Sequence, residues 1–202
     1  DWGGWGGRYE LYTPRREDCD PEGFNGGVAV EAETRPIWTN AADRYRPYVA
    51  AAYSRPFKPG EREFNDAGAT LWRWREAIQN DFAARMLWTT HPPAEANHAP
   101  VVRLAHAAEL HVRGDDWVAL DASPTTDPDG DSLSFLWFAY PEAGTLRTSL
   151  SLGVENQARL ALHLPDVQAA VTAHVIVQVT DKGTPALTRY QRVILHIEPR
   201  AR

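Results

Sequence analysis

The stretch Asp121-Ala-Ser-Pro-Thr-Thr-Asp-Pro-Asp-Gly-Asp-Ser-Leu133 decides how the second half of this chain folds. It is a turn dense in carboxylates, and an aromatic run, Ser134-Phe-Leu-Trp-Phe-Ala-Tyr140, follows it directly. Asp127, Asp129 and Asp131 alternate around Pro128 and Gly130. Like charges that close together repel unless a cation or backbone N–H groups compensate. Turn and strand together mark an extracellular-type β-sandwich module, and the residues on either side extend it. Strand candidates are 101–104, 117–121, 133–140, 158–164, 174–180 and 190–197. Leu160, Leu162 and Leu164 alternate with Arg159, Ala161 and His163, and Val175, Val177 and Val179 alternate with Ile176 and Gln178. Period two in short runs predicts an antiparallel sandwich with one buried face per sheet.

The first half is built differently. Residues 1–68 hold few regular elements: short strand candidates at 8–12, 27–30 and 36–39, a polar loop over 13–27, and a long Pro-rich excursion over 43–68. Residues 69–90 predict a helix. Leu71, Trp74, Ile78, Phe82 and Met86 recur at spacings of three and four, which makes one apolar face. Asp66 is a candidate cap, and His91-Pro-Pro93 ends the pattern. The resulting organisation is a first domain over 1–93, a linker over 94–100 and a β-sandwich over 101–202.

Composition excludes some classes. The net charge is −6 and no basic stripe is present, which argues against a nucleic-acid binder. No apolar run approaches the roughly 20 residues of a membrane span. Cys19 is the only cysteine, so an internal disulfide is impossible. The chain opens on Asp1-Trp-Gly-Gly-Trp-Gly-Gly-Arg8 without an initiator Met, which reads as a piece of something longer.

Several constellations carry chemistry. Asp127, Asp129 and Asp131, with Asp181 in Thr180-Asp-Lys-Gly183, supply the hard oxygens that calcium prefers. Their spacing is not that of an EF-hand, and the same aspartates could simply accept backbone hydrogen bonds within turns. Trp2 and Trp5, flanked by glycines, could stack on sugar rings, with Arg8 as a donor fork. Alternatively that loop packs against another domain. In Arg35-Pro-Ile-Trp-Thr-Asn-Ala-Ala-Asp43, Trp38, Asn40 and Asp43 sit at the end of a short strand, where ligands bind in α/β proteins. Asn40 or Asp43 could equally cap a helix. Trp72 and Trp74 read as packing residues. No HExxH, G-x-S-x-G or phosphate loop occurs, and no catalytic constellation is complete.

Gly3-Gly-Trp-Gly-Gly-Arg-Tyr-Glu-Leu11, Glu33-Thr-Arg-Pro-Ile-Trp-Thr-Asn40 and Leu71-Trp-Arg-Trp-Arg-Glu-Ala-Ile-Gln-Asn-Asp-Phe-Ala-Ala-Arg-Met86 together resemble one family, and Asp127-Pro-Asp-Gly-Asp131, 137–144 and 179–185 fit it further on. The chain is similar to the C-terminal part of bacterial secreted cellulose-binding proteins with a nucleoside-hydrolase-like domain. The resemblance implies the C-terminal end of an α/β domain, carrying one long helix, followed by an Ig- or cadherin-like antiparallel sandwich. It implies a secreted or periplasmic bacterial location. It also implies an upstream aspartate cluster holding calcium that activates water at an anomeric carbon, with Asp43 as a late ligand. Trp2, Trp5, Arg8, Trp38 and Asn40 would then line a sugar pocket. Two readings follow. One is a glycosidase acting on a furanoside-like sugar once joined to its upstream part. The other is a non-catalytic protein that binds a cellulose-type polysaccharide.

Overall fold

Alternation in the second half fixes which side chains go inside. The computed structural model describes residues 7–14, 35–49, 58–59, 62–152 and 156–200. Six strands form there: β7 (Glu109–Arg113), β8 (Trp117–Asp121), β9 (Ser134–Ala139), β10 (Arg159–His163), β11 (Val171–Thr180) and β12 (Thr188–Glu198). They make a four-stranded sheet in the order β7-β12-β11-β9 and a two-stranded sheet, β10-β8. Both sheets turn their apolar residues into one core. Val118 and Leu120 of β8 and Leu160 and Leu162 of β10 meet Trp137 of β9, Val175, Val177 and Val179 of β11, and Val193, Leu195 and Ile197 of β12. Trp137 is fully buried, and its indole N–H still finds a partner, the Gln157 carbonyl at 2.9 Å.

Two strand expectations change. Residues 101–104 form only an isolated bridge, Val101 to Thr126, and not a strand. The edge position is taken instead by β7, whose alternation of exposed and half-buried residues is weaker than that of the central strands. β7 also runs parallel to β12, with Leu110 opposite Leu195 and Val112 opposite Ile197. The other pairs in these two sheets are antiparallel.

The helix differs more. It is broken into α1 (Ala69–Trp72) and α2 (Arg75–Trp88) by a turn at Arg73 and Trp74. Asp66 does not cap α1 by side chain; its Oδ1 accepts the Gly68 amide at 2.6 Å instead. The expected apolar stripe is not the buried face, since Phe82 is 59% and Met86 51% exposed. Polar anchors set the orientation of α2. Asn80 donates to the Ala186 carbonyl at 3.0 Å, Asp81 pairs with Arg189 at 2.9 Å, and Ala84, one turn on, is the buried residue. Small and polar residues at 80, 81 and 84 thus share one face, at the helical spacing of three and four.

The chain divides into two compact units, Asp1–Arg75 and Glu76–Arg202. The sequence organisation ends the first domain at residue 93, whereas the contacts of Asn80 and Asp81 group α2 with the strands that follow it. In the first unit, β1 (Tyr9–Tyr12) pairs antiparallel with β2 (Ile37–Asn40), β3 (Asp43–Tyr45) with β6 (Phe64–Asp66), and β4 (Tyr48–Val49) with β5 (Lys58–Pro59). The regular structure of the described residues is therefore mostly strand, with few helices and only one long one, and the sheets are open.

Candidate functional site

In the first unit, two residues singled out from sequence, Arg8 and Asp43, come together. Tyr9 lies opposite Asn40 in the β1·β2 ladder, and Ala41 donates to the Arg8 carbonyl at 3.0 Å. That register brings Arg8 to Asp43 at the start of β3. Arg8 Nε donates to Asp43 Oδ1 at 2.9 Å, and Arg8 Nη2 donates to the Ala42 carbonyl at 2.9 Å. Arg73 Nη2 lies 3.8 Å from Asp43 Oδ2 and donates to the Arg44 carbonyl at 2.9 Å. Asp43 is completely buried. A buried carboxylate is tolerated when cations and hydrogen bonds replace its water, and here two guanidinium groups do so. The arrangement ties β1, β3 and the turn after α1 into one knot. Trp38 stands apart from it, 71% exposed. Trp2 and Trp5 lie outside the described residues.

The acidic turn in the second unit is a separate arrangement. Asp127 Oδ1 accepts the amides of Asp129 at 2.9 Å and Asp131 at 3.1 Å, which folds the turn around Gly130, at φ +80°. Asp129 accepts the His98 amide at 2.6 Å and faces the His98 ring at 3.0 Å. Partial burial pushes the Asp129 carboxyl up, but the bonds from His98 outweigh it, and the group sits below the usual carboxylate range. Asp181 is 1% exposed and accepts from the Leu187 amide at 2.8 Å, the Gly183 amide at 3.1 Å and the Asn97 side chain at 3.2 Å. Asn97 in turn donates to the Pro185 carbonyl at 2.8 Å, and a Cβ on Gly183 would collide with its amide. Asp131 is the strained member. Loss of water contact first, then the charges of Asp127, Asp181 and Asp129, raise its carboxyl above the usual range. Asp131 therefore sits in the field of the other three aspartates. Asp127 Oδ2 is buried without a hydrogen bond. Among the described residues, no group of three or more His, Cys, Asp or Glu is placed to hold a metal.

A third surface was not singled out from sequence. On the outer face of the β10·β8 sheet, Trp117 lies opposite His163, Ala119 opposite Ala161, and Asp121 opposite Arg159. Trp117 is 72% exposed, more than any other large apolar side chain among the described residues. Its ring lies 5.1 Å from that of His163, tilted by 51°. Arg159 Nε pairs with Asp121 Oδ2 at 2.9 Å, and His163 Nε2 lies 3.2 Å from Asp115 Oδ1. The strand pattern held the signal. Placing Val118 and Leu120 inward forces Trp117 outward.

Comparison with known proteins bears on the strands just described. Residues 117–197 match the family model of the C-terminal domain of the cellulose-binding protein Sde0182. A solved structure of a nucleoside hydrolase-related hypothetical protein from Saccharophagus degradans, associated with carbohydrate metabolism, is 32% identical with a TM-score of 0.62. That match covers 67% of this chain and 35% of the relative, so this chain spans about a third of the relative's length. The PKD domain of KIAA 1837 protein is 16% identical at a TM-score of 0.36, over 50% of this chain and 93% of that one. The protocadherin γB4 extracellular domain is 15% identical at 0.31, over 50% and 17%. Both are too distant to fix a fold. None of the curated proteins matches. The family resemblance read from the sequence motifs thus has direct counterparts in the Sde0182 and Saccharophagus matches. The Sde0182 match begins at Trp117 and takes in β8 through most of β12, including the Trp117 face and the acidic turn. Asp43 and Arg8 fall outside it.

Proposed function

We propose that this chain is a carbohydrate-binding part of a secreted glycan-active protein, and that its ligand is a cellulose-type polysaccharide. The observation that carries this reading is the match of residues 117–197 to the C-terminal domain of a cellulose-binding protein. The structure is compatible with binding rather than chemistry: Asp43 is held by two arginines, and Asp127, Asp129 and Asp181 accept protein hydrogen bonds. We read the second unit as an Ig- or cadherin-like sandwich. Two sheets closing over one core, and an edge strand β7 lying parallel to the last strand, support that reading. Among the described residues no helix is long and apolar enough to cross a membrane, and a secreted or periplasmic location is part of the proposal. The test is depletion from solution by insoluble microcrystalline cellulose, with chitin and xylan alongside. Selective depletion by cellulose supports the reading, and a chain that stays in solution with all three refutes it.

A second reading is favoured by the 32% identical nucleoside hydrolase-related structure. Here the first unit would be the end of a nucleoside-hydrolase-like α/β domain, completing a furanoside pocket whose calcium and aspartate cluster are supplied upstream. Trp2, Trp5, Arg8, Trp38 and Asn40 would line that pocket, with Asp43 at its metal. Native mass spectrometry for a stable complex with an upstream partner, followed by furanoside hydrolysis assays on that complex, tests it. An inert complex would rule the reading out.

A further inference from the structure

We infer that the outer face of the β10·β8 sheet is the glycan-binding surface, and that it takes an extended neutral glucan chain lying along the strands with one sugar ring stacked on Trp117. The inference rests on the polysaccharide-binding reading above and assigns that binding to named residues. A single exposed apolar side chain is ordinary on a protein surface. The arrangement around Trp117 is what gives it a use. Its outward neighbours are alanines, Ala119 across from Ala161, so the surface beyond the indole is a low floor. Along the two strands themselves, the next outward residues are the Asp121·Arg159 pair, where the His106 ring also accepts the Asp121 amide at 3.0 Å. From Trp117 to Asp121 the strand advances about 13 Å, at 3.3 Å per residue. His163, tilted against the indole, forms a side wall at one end. The other end carries a carboxylate and a guanidinium.

Charge selects the ligand class. Arg159 pairs with Asp121, and Asp115, which lies against the His163 ring, pairs with Arg200 at 3.3 Å, so each carboxylate along the strip has a guanidinium beside it. The strip therefore presents little net field, and it favours neither an anionic nor a cationic polymer. A neutral polyhydroxyl chain fits both parts of it. A flat sugar ring offers axial C–H groups to the π face of the indole, and its equatorial hydroxyls lie at the rim. There they reach the remaining hydrogen-bonding capacity of Asp121 and Arg159. β8 and β10 both lie within the residues that match the cellulose-binding family.

The experiment compares the full chain with Trp117→Ala and Ala161→Glu. Binding is read by depletion onto microcrystalline cellulose and by calorimetry with cellohexaose, and folding is verified by circular dichroism. Both positions are exposed, so both variants are expected to fold. Trp117→Ala is expected to weaken binding about tenfold or more, the size of loss seen when a stacking aromatic is truncated. Ala161→Glu leaves the indole in place and fills the floor, and it is expected to weaken binding similarly. If wild type binds and folded Trp117→Ala binds equally well, this surface is wrong while the polysaccharide reading stands. If Trp117→Ala weakens binding but Ala161→Glu does not, the extended chain along the strip is overturned. If wild type binds neither probe, the polysaccharide reading fails and the surface assignment falls with it.

Discussion

Replacing Asp181 tests the physical account of the second unit most sharply. Asp181 is 1% exposed, and its carboxylate receives three donors: the amides of Leu187 and Gly183 and the side chain of Asn97. Asp181→Ala removes all three acceptor contacts. Leu187 is itself fully buried, so water does not readily reach its amide, and an orphaned buried donor costs about 1–3 kcal/mol. The other two donors are only partly buried, and Asn97 keeps the Pro185 carbonyl, so they add less. Easing the repulsion on Asp131 returns a little. The expected loss is about 2–4 kcal/mol. For a unit of this size that is a drop in Tm on the order of 10 °C. Asp181→Asn is the control. Its carbonyl still accepts both amides, but its NH2 now faces the Asn97 amide, so it should lose about 1 kcal/mol. Urea denaturation followed by tryptophan fluorescence, in chelator, gives both values at constant m. A loss under about 0.5 kcal/mol for Asp181→Ala, within ordinary surface variation, would refute the anchor role. Equal losses for the two variants would show that the negative charge matters and not the hydrogen bonds.

Other outcomes follow from the same structure. Asp131 has its carboxyl raised in the folded state, so its ionisation opposes folding: the native state holds the proton more tightly than the unfolded chain, and stability falls as pH rises from the ordinary carboxylate value through the raised one. Asp131→Asn should therefore raise Tm at neutral pH, with the gain shrinking as pH is lowered through that window; a gain that grows on acidification would contradict the assignment. With Asp127, Asp129 and Asp181 engaged by protein donors, Tm should be the same in calcium and in chelator, and a rise with calcium would show that Asp127 Oδ2 and Asp131 recruit the ion. Asp43→Ala leaves two guanidinium groups facing a buried hole. Breaking a buried pair this way costs about 3–5 kcal/mol, nearer the lower figure because the Arg8 side chain is 26% exposed. Proteolytic susceptibility of the first unit should rise accordingly, and an unchanged cleavage rate would refute the knot.

The strands of the second unit were legible because their buried positions repeat every second residue. Leu160 and Leu162 had to face one way, and Val175, Val177 and Val179 the other sheet. β7 escaped notice because an edge strand buries half of one face at most, so Leu110 and Val112 leave only a faint alternation. Helix α2 shows the opposite error. A strong apolar stripe was present, but Asn80 and Asp81 bonded specific partners far along the sequence, Ala186 and Arg189, and these fixed the inward face. Local periodicity carries no information about such partners. The same holds for the Arg8–Asp43 pair, which joins residues 35 positions apart. Both had been singled out, but as parts of a ligand site, and spacing alone gave no sign that they hold each other. Trp117 was legible in principle. An inward Val118 and Leu120 leave it no other direction, but an outward tryptophan only becomes informative once its neighbours are known to be alanines.

The parallel pairing of β7 with β12 has a mechanical meaning. Ahead of β7 in the chain, Asn97 is fastened to Asp181 and Pro185, beside the beginning of β12. The chain leaves β12 after Glu198, and eleven residues of strand separate those two places by about 33 Å. Tension applied between them runs along the strands and not across them. It loads the β7·β12 ladder in shear, so its hydrogen bonds share the force and give way together instead of unzipping singly. A pull along this line is therefore resisted as a tie resists it, by the whole ladder at once.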